Sequence, residues 1–161
     1  MQIEIRPAVG NDACAASQVL RRSIAECCTE DHRDDPEIIA AWVRNKTPET
    51  VRRWLLSEHL LSIVAVAAGE VVGFAAFSKS GEVLLCYVIS EVRFTGTGRA
   101  MLLAIEQLAR ESGVLALYLN STLTARSFYF RNGFEASGPP VLAFGMESLP
   151  MTKHLKYDVT T

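Results

Sequence analysis

The chain predicts an α/β fold, a mixed central β-sheet of about six to seven strands flanked by helices. Three observations lead there. Runs with alternating or β-branched apolar residues are interleaved with runs whose apolar residues recur every three to four positions. A helical run joins two strand-like runs, which makes those two strands parallel. At 161 residues and 49% apolar content the chain can bury one ordinary core. One domain over 1–161 is expected, with no linker, internal repeat or low-complexity segment to divide it.

Residues 2–6 place Ile3 and Ile5 on one face of a short strand, which Pro7 and Gly10-Asn11-Asp12 break. Asn11 or Asp12 is the expected cap of a first helix, in which Ala16, Val19, Leu20, Ser23, Ile24 and Cys27 recur at helical spacing until the polar run 29–35. Pro36 and Glu37 open a second helix over 38–44, and Thr47-Pro48-Glu49 starts a third over 50–56. These helices roof the sheet. Trp42 and Trp54 on them read more readily as core than as pocket walls.

Runs 60–68 and 71–78, parted by Gly69-Glu70, form a hairpin, and a third strand over 82–90 follows the turn at Ser80-Gly81. From Gly98, the positions Met101, Ala104, Ile105, Leu108 and Ala109 make one apolar helix face, which ends at Ser112-Gly113. A buried-type strand over 115–120, a helix over 123–131 stopped by Asn132-Gly133, and a strand opening at 134–136 follow. Pro139-Pro140 forces a turn, after which 141–146 returns as a strand and 151–157 completes or flanks it. The runs 82–90 and 115–120 are the parallel pair. Splayed at their ends, they would leave a slot.

Composition narrows the function. A net charge of −2 gives no polyelectrolyte signature, so nucleic acid is not an expected partner. No apolar run approaches the roughly 18 residues of a membrane span, and residues 1–7 alternate like a strand without the basic and apolar blocks of a signal peptide. A cytoplasmic protein without a membrane partner is the expectation. The four cysteines and three histidines have neither CxxC nor metal-ligand spacing, so no metal is expected and the cysteines read as free thiols.

The segment Arg93-Phe94-Thr95-Gly96-Thr97-Gly98-Arg99 lies where a strand ends and a helix begins. Two glycines one residue apart at that point let backbone N–H groups crowd a phosphate at the positive end of the helix. A P-loop would need a Gly-Lys-Ser/Thr ending, which the segment lacks. Further on, Phe128-Tyr129 precedes Gly133-Phe134. Together these two signatures resemble the GNAT superfamily of N-acetyltransferases, over roughly 71–149. In that family the first motif reads Arg or Gln, two residues, Gly, one residue, Gly or Ala, filled here by Arg93, Gly96 and Gly98. The second has an aromatic-Tyr pair followed by Gly-Phe.

The resemblance implies acetyl-CoA as co-substrate. Its pyrophosphate would meet Arg93, Phe94, Thr95, Gly96, Thr97, Gly98 and Arg99, and its pantetheine would pair with the backbone of Cys86, Tyr87, Val88 and Ile89 like an added strand. A backbone amide in 86–88 would serve the oxyanion. Asn120 and Thr122 lie where the family touches pantetheine. Tyr129 matches the family's general acid, since a phenol of pKa near 10 can protonate a thiolate whose conjugate acid lies near 8.5.

For the base, Glu82 is the best carboxylate on the strand leading into the cradle, although four extended residues put it about 13 Å from Cys86. Glu26, Glu30, Asp31 and His32 on the roof are further candidates, or a site for a cationic acceptor. Three departures stand out: Thr122 where asparagine is usual, Phe94 where many members have glycine, and Ser90 where proline is common. The expected reaction is direct attack by a primary amine of a small molecule, peptide or protein. A catalytically silent CoA-binding module is the rival, against which Tyr129 argues. Sheet edges in such folds often pair, which keeps a homodimer in view.

Overall fold

The computed structural model of the chain describes residues 2–143 and 145–157. Met1 and residues 158–161 of the expected domain, and Phe144 inside the expected strand 141–146, lie outside the described residues. Strands β1 (Ile3–Pro7), β2 (Leu60–Ala67), β3 (Glu70–Ser78) and β4 (Val83–Val88) form an antiparallel sheet in that order. In the second sheet, β5 (Ala116–Ser121), β6 (Glu135–Ala136), β7 (Val141–Ala143) and β8 (Met146–His154) are arranged with β8 between β5 and β6, and with β7 folded back on β8. Among the described residues the sheet therefore comes as two four-stranded halves, eight strands and so close to the six to seven expected, joined by one parallel bridge between Glu82 and Tyr118.

That single bridge has a local cause. Ala76 of β3 faces Leu85 while the next residue, Phe77, faces Val83, so Leu84 is one residue too many on β4. Such a bulge bends its strand and deepens its twist, and β4 leaves β5 after the first contact. Gly81 holds the junction. Its carbonyl accepts the Tyr118 amide at 3.0 Å, its φ is +106°, and a Cβ there would lie 2.4 Å from the Ala116 carbonyl oxygen. Only glycine combines that conformation with that approach.

Six consecutive residues of β3, 72–77, are buried, which requires cover on both faces of the sheet. Helix α1 (Ala13–Cys27) and a long helix after β4 supply it. Between α1 and β2 lie α2 (Thr29–His32), α3 (Pro36–Val43) and α4 (Pro48–Leu55); α5 (Thr97–Glu111) is the long helix, and α6 (Arg126–Arg131) precedes Phe134. Leu20, Ile24, Phe74, Phe77, Met101, Ile105, Leu117 and Met151 are the fully buried centre, each contributing about 1.5–3 kcal/mol by leaving water.

Caps follow the sequence at α3, where Asp35 accepts from the Glu37 amide at 2.9 Å, and at α4, where Thr47 accepts from Thr50 at 3.2 Å. At α1 the residue before the helix is Asp12 as expected, but its carboxylate makes no cap. It accepts instead from Arg6 in a bidentate pair at 2.9 and 3.0 Å and from the Val9 amide at 2.8 Å. Two further expectations are corrected. The polar run 29–35 contains the short helix α2, and the helix expected from 123 starts at Arg126, because Asp31 and Thr122 bind the amides that precede it.

Candidate active site

At the start of α5 the chain builds a run of unused donors. The first helical bond runs from the Ala100 amide to the Gly96 carbonyl at 3.0 Å, and among the described residues no carbonyl accepts from the amides of Thr97, Gly98 or Arg99. These three N–H groups lie at the positive end of a fifteen-residue helix. Gly96 precedes them at φ +88° with open space where a Cβ would be. Phe94 adopts φ +62°, a left-handed geometry that favours glycine. A non-glycine residue in that region costs about 1–2 kcal/mol. Its ring is 89% exposed, with the Arg93 guanidinium 4.8 Å above it. Thr95 closes the loop from beneath, its hydroxyl 2.5 Å from the Val92 carbonyl and 2.9 Å from the Thr97 hydroxyl.

The cradle opens into a cleft of about 1090 Å³ between the diverging strands. One wall is the end of β4, with Cys86, Tyr87 and Val88, and the end of α1, with Ser23, Cys27 and Cys28; the other is the β5–α6 turn and α6 itself, with Thr122, Thr124, Ala125, Ser127, Phe128 and Arg131. Arg93, Phe94, Gly96, Gly98 and Arg99 form its mouth. The structure thus brings together most of the residues singled out from the sequence. Glu82, Ile89, Thr95, Thr97 and Asn120 do not line the cleft. Thr122 spends its hydroxyl on the Ala125 amide, accepting from it at 3.1 Å.

Tyr129 stands just behind the wall, 7% exposed, edge-on to Phe128 and Phe134 at ring distances of 5.2 and 5.4 Å. Burial raises its phenol well above its ordinary range, and the neighbouring Cys86 and Tyr87 add to the shift. Cys86 is pushed up to about 12 by desolvation, against a lowering by hydrogen bonding with Tyr129. Cys28 is likewise pushed up to about 12, chiefly by burial and then by Asp31 and Cys27. Tyr87, beside Trp42, is raised by the same desolvation. The thiols of Cys28 and Cys86 and the phenol of Tyr87 on this wall therefore stay protonated at neutral pH.

The carboxylates divide sharply. Glu82 sits at the closed junction, bridged to Tyr118. Glu26 is paired with Arg22 at 3.0 Å and accepts from Ser90 at 2.8 Å. Asp31 is buried and accepts three bonds from the β5–α6 turn, while His32, fully buried, has Nε2 2.9 Å from the Ile24 carbonyl and Nδ1 accepting the Asp34 amide at 3.0 Å. Glu30 lines the cleft with no partner among the described residues, whereas the other lining carboxylate, Glu106, is ion-paired with Lys153. Cys27, Cys28, Ser127 and Arg131 were not singled out as site residues from the sequence. Ser127 and Arg131 are four apart, one helical face, as are Thr124 and Phe128, which is the signal that could have found them.

A family model for the acetyltransferase (GNAT) domain matches residues 28–155. The chain belongs to the GNAT acetyltransferases. Among solved structures it resembles a GCN5-related N-acetyltransferase from Rhodopseudomonas palustris, at 24% identity and a TM-score of 0.84 over 96% of this chain and 97% of that one. The PaiA N-acetyltransferase of Thermoplasma acidophilum in complex with coenzyme A matches at 23% identity and a TM-score of 0.81, covering 96% and 99%. An aminoglycoside 6'-N-acetyltransferase complexed with coenzyme A matches at 15% identity and 0.72, covering 98% and 99%. A search of curated proteins finds no match. No helix among the described residues is long and apolar enough to cross a membrane.

Proposed function

We propose that the protein transfers an acetyl group from acetyl-CoA to a primary amine by direct attack. The observation that carries this reading is the run of amides at Thr97, Gly98 and Arg99 that no carbonyl among the described residues accepts from, with Gly98 and Arg99 lining a cleft between two strands that part after one bridge. The donor fits what is present. A diphosphate matches a helix N-terminus with unaccepted N–H groups, the open space at Gly96 and the guanidiniums of Arg93 and Arg99. An extended amide-bearing arm matches the end of β4, whose backbone is no longer paired with β5. When bound, acetyl-CoA supplies an activated acyl thioester.

The chain's own groups then have separable tasks. Backbone amides at 86–88 stabilise developing oxyanion charge without moving. Tyr129 holds its proton through the physiological range, since burial raises its phenol, and is the group assigned to protonate the departing thiolate. Cys86, with its thiol pushed up to about 12, is a poor nucleophile, which favours direct attack over an acyl-cysteine route. Glu30 takes the acceptor side, drawing a cationic amine toward the cleft. Glu82 would act only through a chain of waters from the junction. A screen of small amines and peptides with acetyl-CoA, read by free CoA thiol, tests the reaction. Acetyl-CoA binding with no acceptor acetylated, across polyamines, amino acids, aminoglycosides and peptide N-termini, would favour the silent CoA-binding module.

A further inference from the structure

Asp31 spans the cleft from outside. It lies in α2, immediately after Cys27 and Cys28 of one wall, and is 3% exposed. Its carboxylate reaches the opposite wall. One oxygen accepts the Leu123 amide at 2.7 Å; the other accepts the Thr124 amide at 3.2 Å and the Thr124 hydroxyl at 2.6 Å. The two walls are 92 and 93 residues apart in sequence, so nothing local holds them in register. The same turn runs on into the helix of the assigned acid. The Thr122 hydroxyl accepts the Ala125 amide at 3.1 Å, and the Ala125 carbonyl accepts the Tyr129 amide at 3.1 Å.

We infer that Asp31 is a positioning residue, a strut that fixes the β5–α6 turn and through it the place of Tyr129 relative to the acyl donor. This role presupposes the acetyl-transfer reading. Three donors converge on one carboxylate, and bonds to an ionised acceptor are about twice as strong as neutral ones, so the strut is stiff. An asparagine cannot replace it. Its amide offers one oxygen and one NH2, and either orientation turns the NH2 toward an N–H donor. The phosphate cradle, by contrast, is built from α5 and the loop before it and does not depend on the strut.

The test compares Asp31→Asn, Thr124→Val and the wild type, each with Tyr129 intact and with Tyr129→Phe. Turnover and KM are measured with an acceptor from the screen, acetyl-CoA affinity by calorimetry, and the Tyr129 ring by 13C-tyrosine NMR. Asp31→Asn is expected to lower kcat about tenfold or more, because small misplacements of a reacting group cost that much, while acetyl-CoA affinity changes less than about threefold. Thr124→Val, which removes one hydroxyl contact, should lower kcat about threefold and move the Tyr129 resonance in the same direction. In the Tyr129→Phe background neither change should cost anything further, since both act through the lost hydroxyl. Losses that multiply in the double variants, or a loss confined to acetyl-CoA affinity, would overturn the inference. If Asp31→Asn fails to fold, Thr124→Val carries the same test. A wild type that neither binds nor turns over acetyl-CoA would fail the acetyl-transfer reading instead. The Tyr129 resonance, unmoved by either substitution, would still count against the strut.

Discussion

Gly81→Ala is the substitution that probes how the two half-sheets are joined. Three costs add at this one position. At φ +106° an alanine is held outside its allowed regions, which costs about 1–3 kcal/mol. Its Cβ would fall 2.4 Å from the Ala116 carbonyl oxygen and 3.1 Å from a Val114 methyl, and the nearer neighbour is backbone that cannot rotate away. Relief requires β5 to move off, which gives up the Tyr118-to-Gly81 bond, worth about 1 kcal/mol. The conformational and hydrogen-bond costs come to roughly 2–4 kcal/mol, a large part of the stability of a small domain. Urea unfolding followed by tryptophan fluorescence measures it. Gly113→Ala is the matched control: its φ is +78° but nothing lies within 4 Å of the added Cβ, so only the conformational cost of about 1–2 kcal/mol applies. Equal losses at the two sites, or a loss under 1 kcal/mol at Gly81, would refute the close approach at the junction.

Further consequences concern the site and its surroundings. Tyr129→Phe should lower turnover by about ten- to a thousandfold with acetyl-CoA affinity nearly unchanged, as for a general acid; steady-state kinetics beside calorimetry would show it, and unchanged turnover would remove Tyr129 from the chemistry. Because burial raises the Tyr129 phenol well above its ordinary value, no loss of turnover assignable to it should occur between pH 7 and about 9 in the wild type. The Arg6 pair holds the Asp12 carboxyl below its ordinary value. The stability this provides is complete above the unfolded value near 4 and is lost as pH falls through the lower folded value. Denaturation at acid pH should therefore show Asp12→Asn converging on the wild type below about pH 4, while being less stable at pH 7. Cys14 is exposed, whereas Cys28 and Cys86 are pushed up to about 12 by burial, so mass-spectrometric alkylation at pH 8 should label Cys14 well before either.

Much of this was legible in the sequence, and the illegible parts have physical reasons. The strand, the double-glycine turn and the helix from 97 follow from local periodicity and from what glycine permits, so the cradle could be read directly. The hairpin is local too, although its turn is Ala68-Gly69 rather than Gly69-Glu70 because Glu70 already pairs with Ala67, and so are the caps at Asp35 and Thr47. The longest error is β8. Strands are expected over 141–146 and 151–157, whereas β8 runs Met146–His154 and has Pro150, which lacks an N–H, in its middle. In the fold Pro150 faces Asn120, and its carbonyl accepts the Ser137 amide at 2.9 Å, so the strand passes through it. The bulge at Leu84 gives no sequence signal, and without it the parallel pair looks longer than one bridge. The fate of Asp31 was equally out of reach, because its partners lie 92 and 93 residues away. Local spacing marked it as one more acidic residue on the roof. Glu82 shows the converse: expected to open the strand, it sits just before β4 in the bridge to Tyr118, and the divergence of β4 and β5 starts beyond it and leaves it at the closed end.

The most direct test of the proposed activity is calorimetric titration of the wild type and of Gly96→Glu with acetyl-CoA, using ATP as a control. Gly96 has open space and a positive φ beside the free amides, so glutamate there strains the loop and sets a negative charge where the diphosphate would lie. Micromolar binding of acetyl-CoA to the wild type, silence with ATP, and loss of at least about a hundredfold in affinity in Gly96→Glu are the expected results. Equal affinity in the two proteins would place the donor elsewhere, and no binding to the wild type would contradict an acetyl-CoA-dependent enzyme.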